Sequence, residues 1–131
     1  MGAGHNLGKK LGISRDLTTE EIKQLLNKVL ASMKQIDELV SKFNREHPIR
    51  TSEIFRECRV HILSCAFAAL HQVTLIEENT PQNVHPKIKI LKDLIDKLIK
   101  LIDKISTGFM SSPTDNIKQE TNRLLSQVFK N

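Results

Sequence analysis

The chain has 131 residues, 39% hydrophobic and 27% charged, a balance that fits one globular domain around one core. Aromatic residues make up only 4% and all five are Phe, so the core is expected to be aliphatic. The same scarcity excludes the stacking platforms that bind single-stranded nucleic acid. The net charge of +5 has its surplus in residues 1–17 and 80–107, a mild bias toward anionic partners rather than a nucleic-acid stripe.

Four of the five glycines (Gly2, Gly4, Gly8 and Gly12) fall in the first twelve residues, so residues 1–16 are read as a flexible, basic arm. Residues 17–131 then form a single helical domain. Its first helix, about 18–47, opens on Leu17-Thr18-Thr19-Glu20-Glu21-Ile22. Thr18 is the N-cap, Glu21 completes a capping box, and Leu17 and Ile22 form the hydrophobic staple. Ile22, Leu25, Val29, Met33, Ile36, Val40 and Phe43 recur at helical spacing until Pro48 stops them.

A second helix, about 51–79, has the stripe Ile54, Cys58, Ile62, Cys65, Ala69, Val73 and Ile76, with further apolar residues on a second flank. So wide an apolar arc suits a central helix. Pro81 and Pro86 bracket a loop. In the third helix, about 86–106, isoleucines and leucines fill half the wheel and Lys89, Lys92, Lys97, Lys100 and Lys104 alternate with three aspartates on the other half. The fourth, about 113–130, is predicted to begin with Ser112 at the N-cap and Pro113 at N1. No segment reads as a strand. Four amphipathic helices with short connections predict an all-α, antiparallel four-helix bundle.

Cys58 and Cys65 lie seven residues apart, about 10.5 Å along a helix, too far to bridge. With no disulfide framework and no signal peptide, a reducing, cytoplasmic setting is expected. No uninterrupted apolar run approaches the roughly 18 residues that span a bilayer. Cys58, His61 and Cys65 are metal-ligand types, but two ligands at most can share one ion there, so they are read as core. Met1-Gly2 followed by Asn6 does not favour N-myristoylation. Ser112-Pro113 could accept a proline-directed phosphate, although its capping role already explains it.

His61-Ile62-Leu63-Ser64-Cys65-Ala66, followed by Leu70, resembles the phosphoacceptor stretch of histidine phosphotransfer domains, with departures at Ser64 and Cys65 where that family has Lys and Gly. The resemblance implies a four-helix bundle with His61 as phosphoacceptor. Such a histidine must face solvent, whereas the Ile54–Ile76 stripe places His61 at the edge of the core. Arg56 and His61 also fit the R-x4-H pattern of the all-helical HEPN ribonucleases.

No catalytic, cofactor-binding or metal-binding residue is expected. The function expected is that of a non-enzymatic adaptor that binds a partner helix or a second copy of itself. Its surface is placed at Phe67, Leu75, Ile90 and Ile99, with Lys92 and Lys97 beside them. The alternatives are weak contact with an anionic membrane through the basic arm and the Lys-rich third helix, and phosphotransfer at His61. Sequence-specific nucleic-acid binding is not expected.

Overall fold

The computed structural model describes residues 16–46, 52–80, 85–104 and 114–128. They form four helices, α1 (Thr19–Glu46), α2 (Ser52–Glu78), α3 (His85–Lys104) and α4 (Asp115–Val128), and no strand occurs among the described residues. The basic arm, Ser112 and the ends of several predicted helices lie outside them.

The α1 start is built as its sequence dictates. The Thr18 amide donates to Glu21 Oε1 at 2.9 Å and the Glu21 amide donates to Thr18 Oγ1 at 3.1 Å. Two amides that have no partner within the helix are thereby satisfied. Leu17 and Ile22 are both buried beside this cap.

Chain order runs around the bundle: α1 packs on α2, α2 on α3, α3 on α4, and α4 back on α1. Three polar contacts fix the antiparallel sense. At one end, the Leu17 amide before α1 donates to the Asn79 carbonyl after α2 at 2.6 Å. At the same end, Lys92 of α3 reaches Glu77 of α2 at 3.0 Å. On the opposite seam, Lys118 in the first turn of α4 meets Asp37 in the second half of α1 at 2.7 Å. Because α4 begins beside Asp37 and runs back toward the α1 start, the last turns of α1 extend beyond it.

The core is aliphatic. Leu26, Val29, Met33 and Ile36 of α1 meet Ile62, Ala66, Ala69, Val73 and Ile76 of α2. Ile88, Leu91, Ile95 and Ile102 of α3, with Ile117 and Leu124 of α4, close it from the other side. Two core positions differ from the predicted stripes. Leu26 is fully buried where Leu25 was expected, and Ala66 takes the central place expected for Cys65. Leu25, Cys58 and Cys65 pack at the margin instead. At Leu25 and Cys65 the difference is a shift of one residue, about 100° around the helix, which a stripe written in steps of three and four does not resolve.

The α4 start also differs. Thr114, not Ser112, precedes the helix, and its carbonyl accepts the Lys118 amide at 3.0 Å. Its hydroxyl donates to the Asp37 carboxylate.

Candidate interaction surface

Helix α3 shows how the predicted surface is divided. Its apolar arc is wider than the core can absorb, so Ile88, Leu91, Ile95, Leu98 and Ile102 are buried while Ile90 and Leu101 remain 51% and 49% exposed. Leu94, Lys97, Leu98 and Leu101 line a groove against Asn116 and Ile117 of α4. Ile90 precedes Leu94 by one turn and extends that line toward the α3 start. The groove encloses about 170 Å³. That is below the roughly 300–1,000 Å³ of a small-molecule site, and suits one or two side chains.

The other predicted residues lie elsewhere. Ile99 is seven residues from Lys92, so it shares the side of α3 that faces α2, and it is half-buried there. Lys92 is engaged across the α2–α3 seam. Its ammonium donates to Glu77, and that hydrogen bond holds its pKa above the ordinary lysine value. Phe67 is 53% exposed on the outer face of α2, away from the groove. Leu75, predicted as surplus surface, is buried. It sits in the closed last turn of α2, where Asn79 and Thr80 are buried and the Asn79 side-chain amide donates to the Leu75 carbonyl at 2.9 Å. Of the six predicted residues, only Ile90 and Lys97 belong to the α3–α4 side.

Sequence reasoning missed Leu94, Leu98, Leu101, Asn116 and Ile117 as groove residues, and Val60, which is 60% exposed on α2. The signal was present in α3. Ile90, Leu94 and Leu101 are spaced four and seven apart on one edge of an arc too wide to be covered.

His61 is exposed and lines a cleft between α1 and α2 with Leu39, Lys42, Phe43, Glu46, Glu57 and Cys58. Two carboxylates against one ammonium make that setting unfavourable for a phosphoryl group. Arg56 and His61 are both exposed but five residues apart, about 140° around α2, so they do not converge on one substrate. Burial pushes the thiols of Cys58 and Cys65 above the ordinary value. Among the described residues no three His, Cys, Asp or Glu side chains gather into a metal site.

Within residues 56–78 an 18-residue window has a mean hydropathy of 1.4, so this helix is long and apolar enough to cross a membrane by length and composition, contrary to the expectation that no stretch comes near it. The cause is the segment from Val60 to Ile76, which contains no Asp, Glu, Lys or Arg. In the fold α2 packs between α1 and α3 and contributes its apolar face to the core. Of the apolar side of α3, which a membrane-surface role would need, Ile88, Leu91, Ile95, Leu98 and Ile102 are buried while Ile90 and Leu101 are half exposed. No protein-family model matches the chain, nor does any curated protein or solved structure.

Proposed function

We propose that the protein is a non-enzymatic interaction module that receives a partner helix in the α3–α4 groove. The observation that supports this reading is the continuous apolar line of Ile90, Leu94 and Leu101 beside Leu98 and Ile117, left partly open to water. A helix offers side chains at the same three- and four-residue spacing and can lay its apolar stripe along such a groove. The partner's chemistry follows from the rim. Lys97 lines the groove, and Lys87, Lys89 and Lys100 outnumber Asp93 and Asp103 on the exposed side of α3. The favoured partner is an amphipathic helix with carboxylates bordering its apolar stripe.

The test is affinity capture with three baits: the wild-type chain, Leu101→Glu and Phe67→Asp. Both substituted positions are about half exposed, so circular dichroism should show all three folded. A captured protein retained by Phe67→Asp and lost by Leu101→Glu is the expected result, and Lys97→Glu should weaken the same capture. If capture is indifferent to Leu101→Glu, the groove is not the binding surface.

A further inference from the structure

Helix α4 differs from its neighbours in what it buries. Every buried position of α1, from Ile22 to Phe43, is apolar. So is every buried position among the described residues of α3. Among the described residues, those that α4 and its approach turn inward are Thr114, Ile117, Thr121 and Leu124, and two of these four carry hydroxyls. The Thr121 hydroxyl donates to the Ile117 carbonyl at 2.7 Å, a bond made inside α4 that gives it no hold on α1 or α3. The ion pairs Lys118–Asp115 and Arg123–Glu120 are likewise internal. Ordering the 14 residues of α4 costs entropy at each of them. Against that cost stand two enclosed aliphatic side chains, Ile117 and Leu124, with Leu125 at the margin and the Asp37 tether. The other three helices do not lean on α4. They pack in succession and are tied at one end by the Leu17–Asn79 and Lys92–Glu77 bonds, neither of which involves it.

The groove beside α4 is small for its proposed occupant. It encloses about 170 Å³, space for one or two side chains, whereas a docked helix lays down anchors at i, i+3, i+4 and i+7. One wall is α3, whose Leu98 is rooted in the core. The other is Asn116 and Ile117 of α4. Thr114 and Lys118, both held by Asp37, flank those two residues in sequence, so the tether and the wall belong to one turn.

We propose, on the reading of the groove as a helix-binding site, that α4 is its movable wall. The helix parts from the α1–α3 core as one unit, with Asp37 as its latch, and the widened groove takes the partner helix. Elements that move on binding are drawn from the least stable part of a fold, and α4 is that part here. The free energy of parting is subtracted from the partner's affinity, so the latch sets how readily the groove is used.

Native-state hydrogen exchange of the full chain in increasing urea tests the parting without any partner. The amides of Thr121 and Leu124, in the middle of α4, should exchange together and at least about tenfold faster than those of Ile62 and Val73 in α2. Their opening should also depend less on urea than global unfolding does, because it exposes less surface. Asp37→Ala should speed exchange at Thr121 and Leu124 by roughly tenfold or more. Exchange at these two amides that matches Ile62 and Val73 in rate and urea dependence overturns the proposal. Exchange indifferent to Asp37→Ala removes Asp37 as the latch.

Gating is read in a Cys58→Ala/Cys65→Ala chain carrying Asp37→Cys and Lys118→Cys. Joining the two introduced thiols with bismaleimidoethane fixes α4 to α1. The joined chain should capture less of the protein bound by the wild-type bait than the same chain left unjoined, and equal capture overturns the movable wall. Failure of the groove reads differently. Capture indifferent to Leu101→Glu removes the binding surface and leaves the exchange result standing. Absence of a separate α4 opening, with capture still lost in Leu101→Glu, removes the movable wall and leaves the groove.

Discussion

The Asp37 carboxylate and the Lys118 ammonium lie 2.7 Å apart across the seam between α1 and α4. The same carboxylate accepts the hydroxyl of Thr114, which is fully buried. With only 14 residues α4 is too short to be stable alone, so its position depends on such tethers and on Ile117 and Leu124. Asp37→Ala should lower stability by about 2 kcal/mol, mostly because a buried hydroxyl loses its acceptor. The ion pair adds less, since Lys118 is about a third exposed and screened by solvent. Asp37→Asn keeps an oxygen for Thr114 and should cost about 1 kcal/mol or less. Urea unfolding measures both. Equal losses would mean that charge, not the hydrogen bond, holds the seam.

The reciprocal bonds between Thr18 and Glu21 give a second measurable quantity. Thr18→Ala should cost about 1 kcal/mol, the usual cost of losing a side-chain N-cap. Glu21→Ala should cost less, since the Thr18 amide to which it is bonded faces water. The double variant should cost less than the two single losses together, because each single change already breaks the box. Strict additivity would show that the two bonds act independently.

The architecture was largely legible because its signals are local. The cap at Thr18, the break at Pro48 and the stripe Val29–Met33–Ile36–Val40–Phe43 each depend on neighbours within a few turns. The interaction surface was less legible because it depends on which helix lies beside which. Nothing near Lys92 reveals that Glu77, fifteen residues earlier, will claim it. Leu75 follows exposed His71 by one turn and would be expected outside, yet the enclosed end of α2 buries it. Thr114 is a plausible cap by composition, but Asp37, which claims its hydroxyl, is 77 positions away. Ile90 and Ile99 look equivalent on a wheel of α3 alone, and separate only once α2 and α4 take opposite sides of it.

Three isoleucines of α3 should therefore give three different responses to alanine. Ile95 is fully buried, and its truncation should cost about 2–5 kcal/mol, including the cavity left behind. Ile99 packs half-buried against the core and should cost about 1–2 kcal/mol. Ile90 is half exposed and should cost at most about 0.5 kcal/mol while weakening capture of a partner helix. Denaturant midpoints across the series check the order. A large loss at Ile90 would make it a core residue and remove it from the groove.

Alkaline pH should destabilise the fold in two stages. Burial raises the thiol pKa of Cys58 and Cys65, and hydrogen bonds to Glu77 and Asp37 raise those of Lys92 and Lys118. A group with a higher pKa in the folded state holds its proton more tightly there. Its contribution is complete below the unfolded pKa and is lost as pH rises through the folded one. Unfolded thiols titrate near about 8.5 and lysines near about 10.4, so the cysteines act first and the lysines later. Urea midpoints should be level near neutrality, decline above about pH 8.5, and decline further above about pH 10.4. In a Cys58→Ala/Cys65→Ala chain the first decline should disappear and the second remain. Midpoints that rise with pH over this range would show that neither the partly buried thiols nor the two lysine pairs favour the native state in their protonated forms.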